Sequence, residues 1–292
     1  MPRRVLVTGA GGQLARTLVQ AFSADADVLA LARADLDITD DASVDAALAS
    51  ARPDVIINCA SDNDVDAAQE HPVRAIEVNA FGVRVLARAA DSLGAILIHY
   101  SSDFVFDGRT DHPYRETDKP NPQSVYAASK LLGEWFALEA RHAFVLRVES
   151  LFGAAPRAGG HRSSLDKIVN AIEAGDEVPV FCDRTVSPSY VHDIAAATDR
   201  LIEMGAEPGL YHCVNTGTGR WDDIAREAAR LLGREPRLRL ITLDQVALRA
   251  PRPKYCALDN SCLAALGIVM PTWQDALARH ITSRTATETR TR

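Results

Sequence analysis

The chain has 292 residues, 47% of them apolar and 24% charged, with a formal net charge of −7. That length supplies a large core in one domain or two packed ones, and the acidic balance argues against a nucleic-acid or anionic-membrane surface. The five cysteines (Cys59, Cys182, Cys213, Cys256 and Cys262) form no C-x-x-C pair and give neither a disulfide framework nor a zinc site.

Arg3 and Arg4 run straight into a short strand, which leaves no room for a signal peptide's apolar region. No apolar stretch approaches the roughly 20 residues of a membrane helix. A soluble cytoplasmic protein is expected.

Strand-like and helix-like segments alternate from the start. Val5-Leu-Val-Thr-Gly9-Ala-Gly-Gly12-Gln-Leu-Ala15 reads as strand, glycine turn and helix. Gly9 permits the tight turn, Gly12 lets the backbone approach a pyrophosphate, and Ala15 allows close helix–sheet packing. The N–H groups opening the helix then face phosphate charge. A second strand over 28–31 ends near Arg33. NAD-specific sites usually carry an acid there, whereas an arginine pairs with a 2′-phosphate and points to NADPH rather than NADH. A helix over 42–49, a strand over 55–58 and a long amphipathic helix over 72–93 follow. Asp37-Ile38 and Asn58-Cys59-Ala60-Ser61 fall at the carboxyl edge of the sheet, where such folds bind ligands.

A strand over 95–100 delivers Ser101, Ser102 and Asp103 to that edge. Ser102 offers a hydrogen bond to a substrate carbonyl. Tyr126 and Lys130 stand four residues apart, one helical turn, on one face. A nearby ammonium favours the phenolate, so the pair is expected to bring the phenol towards neutral-pH proton transfer. A strand over 144–148 closes the first half. Near-continuous apolar runs of this kind suit a parallel sheet covered on both faces.

Beyond it lie a glycine- and alanine-rich loop over 153–160, helices over 165–174, 194–204 and 221–232, and strands over 178–181 and 210–214. Asp222-Asp223 reads as helix capping. The expected architecture is an α/β doubly wound parallel sheet (Rossmann) over 1–150, to which some later segments return. A smaller, mostly C-terminal α/β substrate domain over 151–281 and a disordered tail over 282–292 complete it.

These segments carry a resemblance. Thr8-Gly-Ala-Gly-Gly-Gln-Leu14, Leu36-Asp-Ile-Thr-Asp40, Arg52-Pro-Asp-Val-Ile-Ile-Asn-Cys-Ala60, His99-Tyr-Ser-Ser-Asp-Phe-Val-Phe-Asp-Gly108, Val125-Tyr-Ala-Ala-Ser-Lys-Leu-Leu-Gly-Glu134 and Arg252-Pro253 through Leu258-Asp259 resemble an extended short-chain dehydrogenase/reductase. Within that group the chain is most similar to dTDP-4-dehydrorhamnose reductases. Phe104 directly after Asp103 sets it apart from 4,6-dehydratases, which typically carry a glutamate there.

The resemblance implies reduction of a nucleotide-linked 4-keto-6-deoxysugar by NADPH or NADH. Tyr126 would protonate the C4 keto oxygen, Lys130 would bind the nicotinamide ribose, and Ser102 and Asp103 would hold the sugar. Gly12, Gln13, Leu14, Asp37, Ile38, Cys59, Ala60, Ser61 and Tyr100 match cofactor-contacting positions, and Arg252 would neutralise a diphosphate. Phe104 stands where the family commonly has tyrosine, and Ser150 where it has a sugar-contacting tryptophan. Thr17 replaces a glutamate that holds magnesium in some members, so no metal is expected. A homodimer is the assembly considered. The competing expectations are a sugar-nucleotide epimerase and a non-catalytic subunit similar to the regulatory partner of methionine adenosyltransferase.

Overall fold

The computed structural model describes residues 2–153 and 163–291, the side chains of the last helix to Arg284. Among these residues six parallel strands form one sheet. They are β1 (Arg3–Thr8), β2 (Ala26–Leu31), β3 (Val55–Asn58), β4 (Ile96–Ser102), β5 (Ala143–Val148) and, late in the chain, β6 (Gly209–His212). The order across the sheet is β6-β5-β4-β3-β1-β2.

Alternation along the strands divides the core in two. Val5, Val7, Val55, Ile57, Ile98, Tyr100, Phe144 and Leu146 face one way, against the Gln13–Phe22 helix and the Val191–Glu203 helix. Leu6, Ile56, Leu97 and Val145 face the other, against Val44 and Leu48 of the Asp41–Ala51 helix and Val83 and Leu86 of the Gly82–Leu93 helix. Both faces are covered, as the apolar runs of the sequence require. The fold is the expected doubly wound α/β sheet.

The strand order reverses between β1 and β3. At such a switch the loops leaving two neighbouring strands diverge and open a crevice at their carboxyl ends. The glycine turn after β1 and the Cys59–Ala60 stretch after β3 both sit there. Gly9 has φ +65°, and a Cβ on it would lie 2.7 Å from the Ala60 nitrogen. Only glycine fits both the left-handed backbone and that approach.

Several segments differ from the sequence expectation. The helix expected over 72–93 consists of Pro72–Ile76, one π turn over Glu77–Phe81, and Gly82–Leu93. Asp222 and Asp223 are not caps: Arg220 holds the cap position, and both carboxylates pair with its guanidinium at 3.1 and 3.3 Å.

The segment expected as a disordered tail continues the Trp273–Thr291 helix. Composition underrated it because its ties are tertiary. Arg284 pairs with Glu173 at 2.8 Å, and His280 meets Asp166 at 3.0 Å. The loop expected over 153–160 lies, past Gly153, outside the described residues.

A second hydrophobic core joins Phe152, the Ser164–Ala174 helix, the Trp221–Leu232 helix and the start of the last helix. The Gly209–His212 strand and the Val191–Glu203 helix belong to the main sheet instead, pairing with β5 and packing on the first helix. The second core closes one side of the crevice. Among the described residues no helix is long and apolar enough to cross a membrane.

Candidate active site

The crevice is a cleft of about 970 Å³ at the carboxyl edge of the sheet. The first turn of the Gln13–Phe22 helix forms one wall. Gly12 precedes that helix with its N–H bonded back to the Gly9 carbonyl at 2.9 Å. Gln13 and Leu14 line the cleft, and Gln13 Nε2 is buried without a hydrogen-bond partner. An orphaned donor beside a helix N-terminus suits an anionic phosphate group.

The β3 loop forms the next wall. Thr8 Oγ1 donates to Asn58 Oδ1 at 2.6 Å, and the Ala60 N–H reaches Asn58 Oδ1 at 3.1 Å, so the strand ends fix the loop. Ser61 Oγ and the Asp62 N–H both bond Asn79 Oδ1 at 2.8 Å. Asn79 lies in the π turn, and its Nδ2 donates to Ser129 Oγ at 3.0 Å. Ser129 in turn bonds the Tyr126 carbonyl at 2.8 Å. An extra residue in the helical turn thus aims one amide at both the Ser61–Asp62 loop and the helix that carries Tyr126.

That helix, Val125–Ala137, starts where Ser124 accepts from the Ala127 N–H. It presents Tyr126 (8% exposed) and Lys130 (3% exposed) to the cleft. Lys130 Nζ donates to the Tyr100 carbonyl at 2.6 Å. Burial lowers the Lys130 pKa to about 8, against Glu134 and Cys59, which raise it.

The sequence reading needs correcting at Tyr126. Its phenol is pushed up, not down: burial dominates, Asp103 adds to it, and a Ser102 hydrogen bond opposes. The lysine is engaged by the Tyr100 carbonyl, and burial of a phenolate at Tyr126 is the larger effect. Burial therefore favours the protonated phenol at Tyr126. The Ser102 hydroxyl donates to Asp103 Oδ1 at 2.9 Å, so a substrate carbonyl has to draw that hydrogen away from the carboxylate.

Of the other expected residues, Cys59, Ala60, Ser61, Tyr100, Asp103, Ser150 and Arg252 line the cleft. Burial pushes the Cys59 thiol up, so it stays protonated. Tyr100 offers its carbonyl; its hydroxyl points away, bonded to Thr198 at 2.7 Å. Ser150 has φ +45°, a left-handed conformation that a bulky tryptophan adopts only with strain. Arg252 pairs with Asp66 at 2.9 Å.

Phe104 does not line the cleft. It packs edge-on against Tyr126 with ring centroids 5.7 Å apart. Gly9 lies beneath the lining, against Ala60. Asp37 bonds Thr39, and Ile38 is core, its side chain filling the space above Gly82. Arg33 is exposed outside the lining, two residues past Leu31, whose carbonyl accepts from Ala10 of the glycine turn at 3.1 Å. Thr17 is buried in the first helix and bonds the Gln13 carbonyl at 3.4 Å.

Sequence reasoning missed Asn79, Glu149, Arg184 and the role of Cys256. Asp103, Glu149 and Cys256 bring ligand-type atoms within 4.8 Å of one another, with the Arg184 guanidinium facing all three. A glutamate ending an apolar strand was the one signal available, since such a residue is rarely buried unpaired.

With this geometry in place, comparison with known proteins is decisive. The family model described as RmlD substrate binding domain matches residues 3–286. The chain belongs to this family. It is 38% identical over 286 residues to a dTDP-4-dehydrorhamnose reductase of Streptomyces griseus, covering 94% of this chain and 91% of that enzyme. It is 34% identical to a dTDP-4-keto-6-deoxy-D-glucose reductase of Streptomyces niveus, covering 96% of each.

Among solved structures, the dTDP-4-dehydrorhamnose reductase of Bacillus anthracis in complex with NADP superposes with a TM-score of 0.91. It is 30% identical and covers 97% of this chain and 100% of that one. A UDP-glucose 4-epimerase from Thermus thermophilus has a TM-score of 0.82 at 20% identity, a likeness of fold alone. The relatives named as reductases favour that reading over the epimerase and regulatory-subunit expectations.

Proposed function

We propose that this chain is an NADPH-dependent reductase of the C4 ketone in a nucleotide-linked 6-deoxysugar, with Tyr126 as the acid. The observation that carries the reading is the convergence of Tyr126, Lys130 and Ser102 under the glycine turn, in a member of a reductase family. The residues present fit the cofactor. The helix N-terminus at Gly12–Leu14 takes the pyrophosphate, the Cys59–Ser61 loop flanks the adenosine side, and Lys130 holds the nicotinamide ribose. The nicotinamide supplies the hydride.

The chain's own residues do the rest. Asp103 and Ser102 orient the sugar so that its C4 oxygen meets the Tyr126 hydroxyl, and the buried site keeps water from the reacting atoms. The phenol loses its proton only as negative charge develops on that oxygen, because burial disfavours phenolate beforehand. Ser150 lines the cleft with a small side chain where the resemblance implies a tryptophan, so a sugar other than dTDP-4-dehydrorhamnose fits the same reading.

The test follows NADPH oxidation by wild type and Tyr126→Phe on dTDP-4-dehydrorhamnose and dTDP-4-keto-6-deoxyglucose. Turnover is expected on at least one sugar, and the phenylalanine should lower kcat by about 10²-fold or more with NADPH affinity little changed. Retained turnover in the variant overturns the role of Tyr126. A wild type inert on both sugars overturns the reductase reading.

A further inference from the structure

Behind Tyr126 lie buried groups that this reading does not use. Asp103 follows β4 and is 4% exposed; Glu149 follows β5 and is 2% exposed. Their carboxylate oxygens lie within 4.8 Å of each other. Glu149 Oε2 accepts from the Ser187 N–H at 2.6 Å, while Oε1 is buried with no partner.

The Arg184 guanidinium is the positive charge facing the pair. Tyr126 and the Cys256 thiol also face Asp103, and Tyr255 faces Glu149. Two carboxylates set against one guanidinium away from water do not both ionise; they retain one proton between them. A proton on Glu149 also relieves the otherwise unpaired acceptor. Glu149 does not line the cleft, so it acts only through Asp103.

A path leads outward. Asp103 Oδ1 and Ser102 Oγ are 2.9 Å apart, and Ser102 lines the same cleft wall as Tyr126, where its hydroxyl favours the phenolate. Hydroxyl hydrogens rotate, so this chain runs in either direction. We propose that the Asp103–Glu149 carboxyl pair is the proton store that restores the Tyr126 phenol after each turnover, through the Ser102 hydroxyl. The inference rests on Tyr126 as the acid.

The Tyr126 O–H bond breaks as the sugar O4–H bond forms. The phenolate then takes the Ser102 hydroxyl proton, Ser102 takes a carboxylic proton from Asp103, and Asp103 is resupplied by Glu149, whose carboxyl oxygen lies within 4.8 Å. The pair is left one proton short and regains it from water entering the emptied cleft, which Asp103 lines. The transfer runs downhill, since Asp103 is raised only to about 6 by burial and the buried phenol lies far above. Glu149 is a positioning residue that keeps a proton on the pair at pH values where Asp103 alone is ionised.

Glu149→Gln tests this, because the amide oxygen still accepts from the Ser187 N–H but holds no proton. In stopped-flow traces at pH 8, the variant should oxidise one equivalent of NADPH at the wild-type rate. Its steady state should then be about 10-fold slower or more, the lower range for a positioned proton donor. At pH 6 the burst should shrink as Asp103 regains its own proton.

A uniformly slow trace means a structural role, and an unchanged steady state means re-protonation from the Lys130 side; either overturns the proposal. Should the variant not fold, wild-type kcat in H2O–D2O mixtures decides. A curved dependence, from several protons moving together, supports the store, and a straight line overturns it. Tyr126→Phe separates the two readings: if it keeps turnover, the assignment of the acid fails whatever Glu149 does.

Discussion

Arg33 is the residue on which the proposed preference for NADPH turns. It stands two positions past β2, beside the glycine turn, and no acid takes the place where a ribose 2′-hydroxyl is usually held. A guanidinium there binds a 2′-phosphate through paired charge-assisted hydrogen bonds, and it has no comparable partner on NADH. Arg33→Ala is expected to weaken NADPH by about 10-fold, the scale of one charge-assisted hydrogen bond. NADH should be left unchanged. Titration of both cofactors decides the point; equal loss for the two removes any phosphate role. Exposure alone is no argument against it, because a group that binds an incoming ligand is exposed until the ligand arrives.

At the scale of elements, the π turn over Glu77–Phe81 meets the Val125–Ala137 helix at Gly133. A Cβ on Gly133 would lie 2.1 Å from the Asn79 carbonyl oxygen, with the Asn79 carbonyl carbon at 3.3 Å. That oxygen is backbone and has nowhere cheap to move. Gly133→Ala should therefore cost about 1–3 kcal/mol, the usual scale for overpacking. It should also reduce kcat, because the same shift pulls the Asn79 amide away from Ser61 and Ser129. Denaturant unfolding and steady-state kinetics on the same sample check both halves. A variant as stable and active as wild type would show that the two helices slide freely. The amphipathic period over 72–93 predicted helix correctly, yet it carries no mark of the π turn. A single extra residue shifts the register of a helix without breaking its apolar face.

For the whole molecule, one buried histidine makes stability fall in acid. His212 sits at the end of the Gly209–His212 strand with the Arg147 guanidinium 3.3 Å from Nε2 and the Asp259 carbonyl 3.1 Å from Nδ1. Arg147 is itself locked to Glu134 at 2.7 Å, so the guanidinium cannot retreat. Burial first, then the Arg147 charge, depresses the His212 pKa to about 3. A base depressed in the folded state contributes stability above its unfolded pKa near 6.5. That contribution is lost as pH falls from there towards about 3.

Between pH 6.5 and 4.5 this one site removes at most about 2–3 kcal/mol. His212→Gln keeps a donor and an acceptor but does not titrate. The gap in unfolding free energy between wild type and variant should be largest near pH 7 and should close towards pH 4.5. A gap that stays constant over that range would falsify the assignment. Asp103 works in the opposite sense: its raised pKa means that its contribution is lost as pH rises through about 6. Taking the difference between the two proteins removes it.

What the sequence determined by itself was local or periodic. Alternating apolar runs dictated a covered parallel sheet, and Gly9 and Gly12 marked the turn where a helix N-terminus opens. The spacing of Tyr126 and Lys130 put both on one helical face. Each depends only on neighbours within a few residues, where backbone geometry is shared by all chains. Tertiary structure decided the rest. It brought Asp103, Glu149, Arg184 and Cys256 together from four separate segments, and it tied the last helix to the Ser164–Ala174 helix through Arg284 and Glu173. It also reversed the expected shift at Tyr126. Proximity along the helix suggested that the lysine would govern the phenol. Burial, which depends on everything packed around a group, governs it instead, because desolvation of a charge outweighs one ammonium already engaged elsewhere.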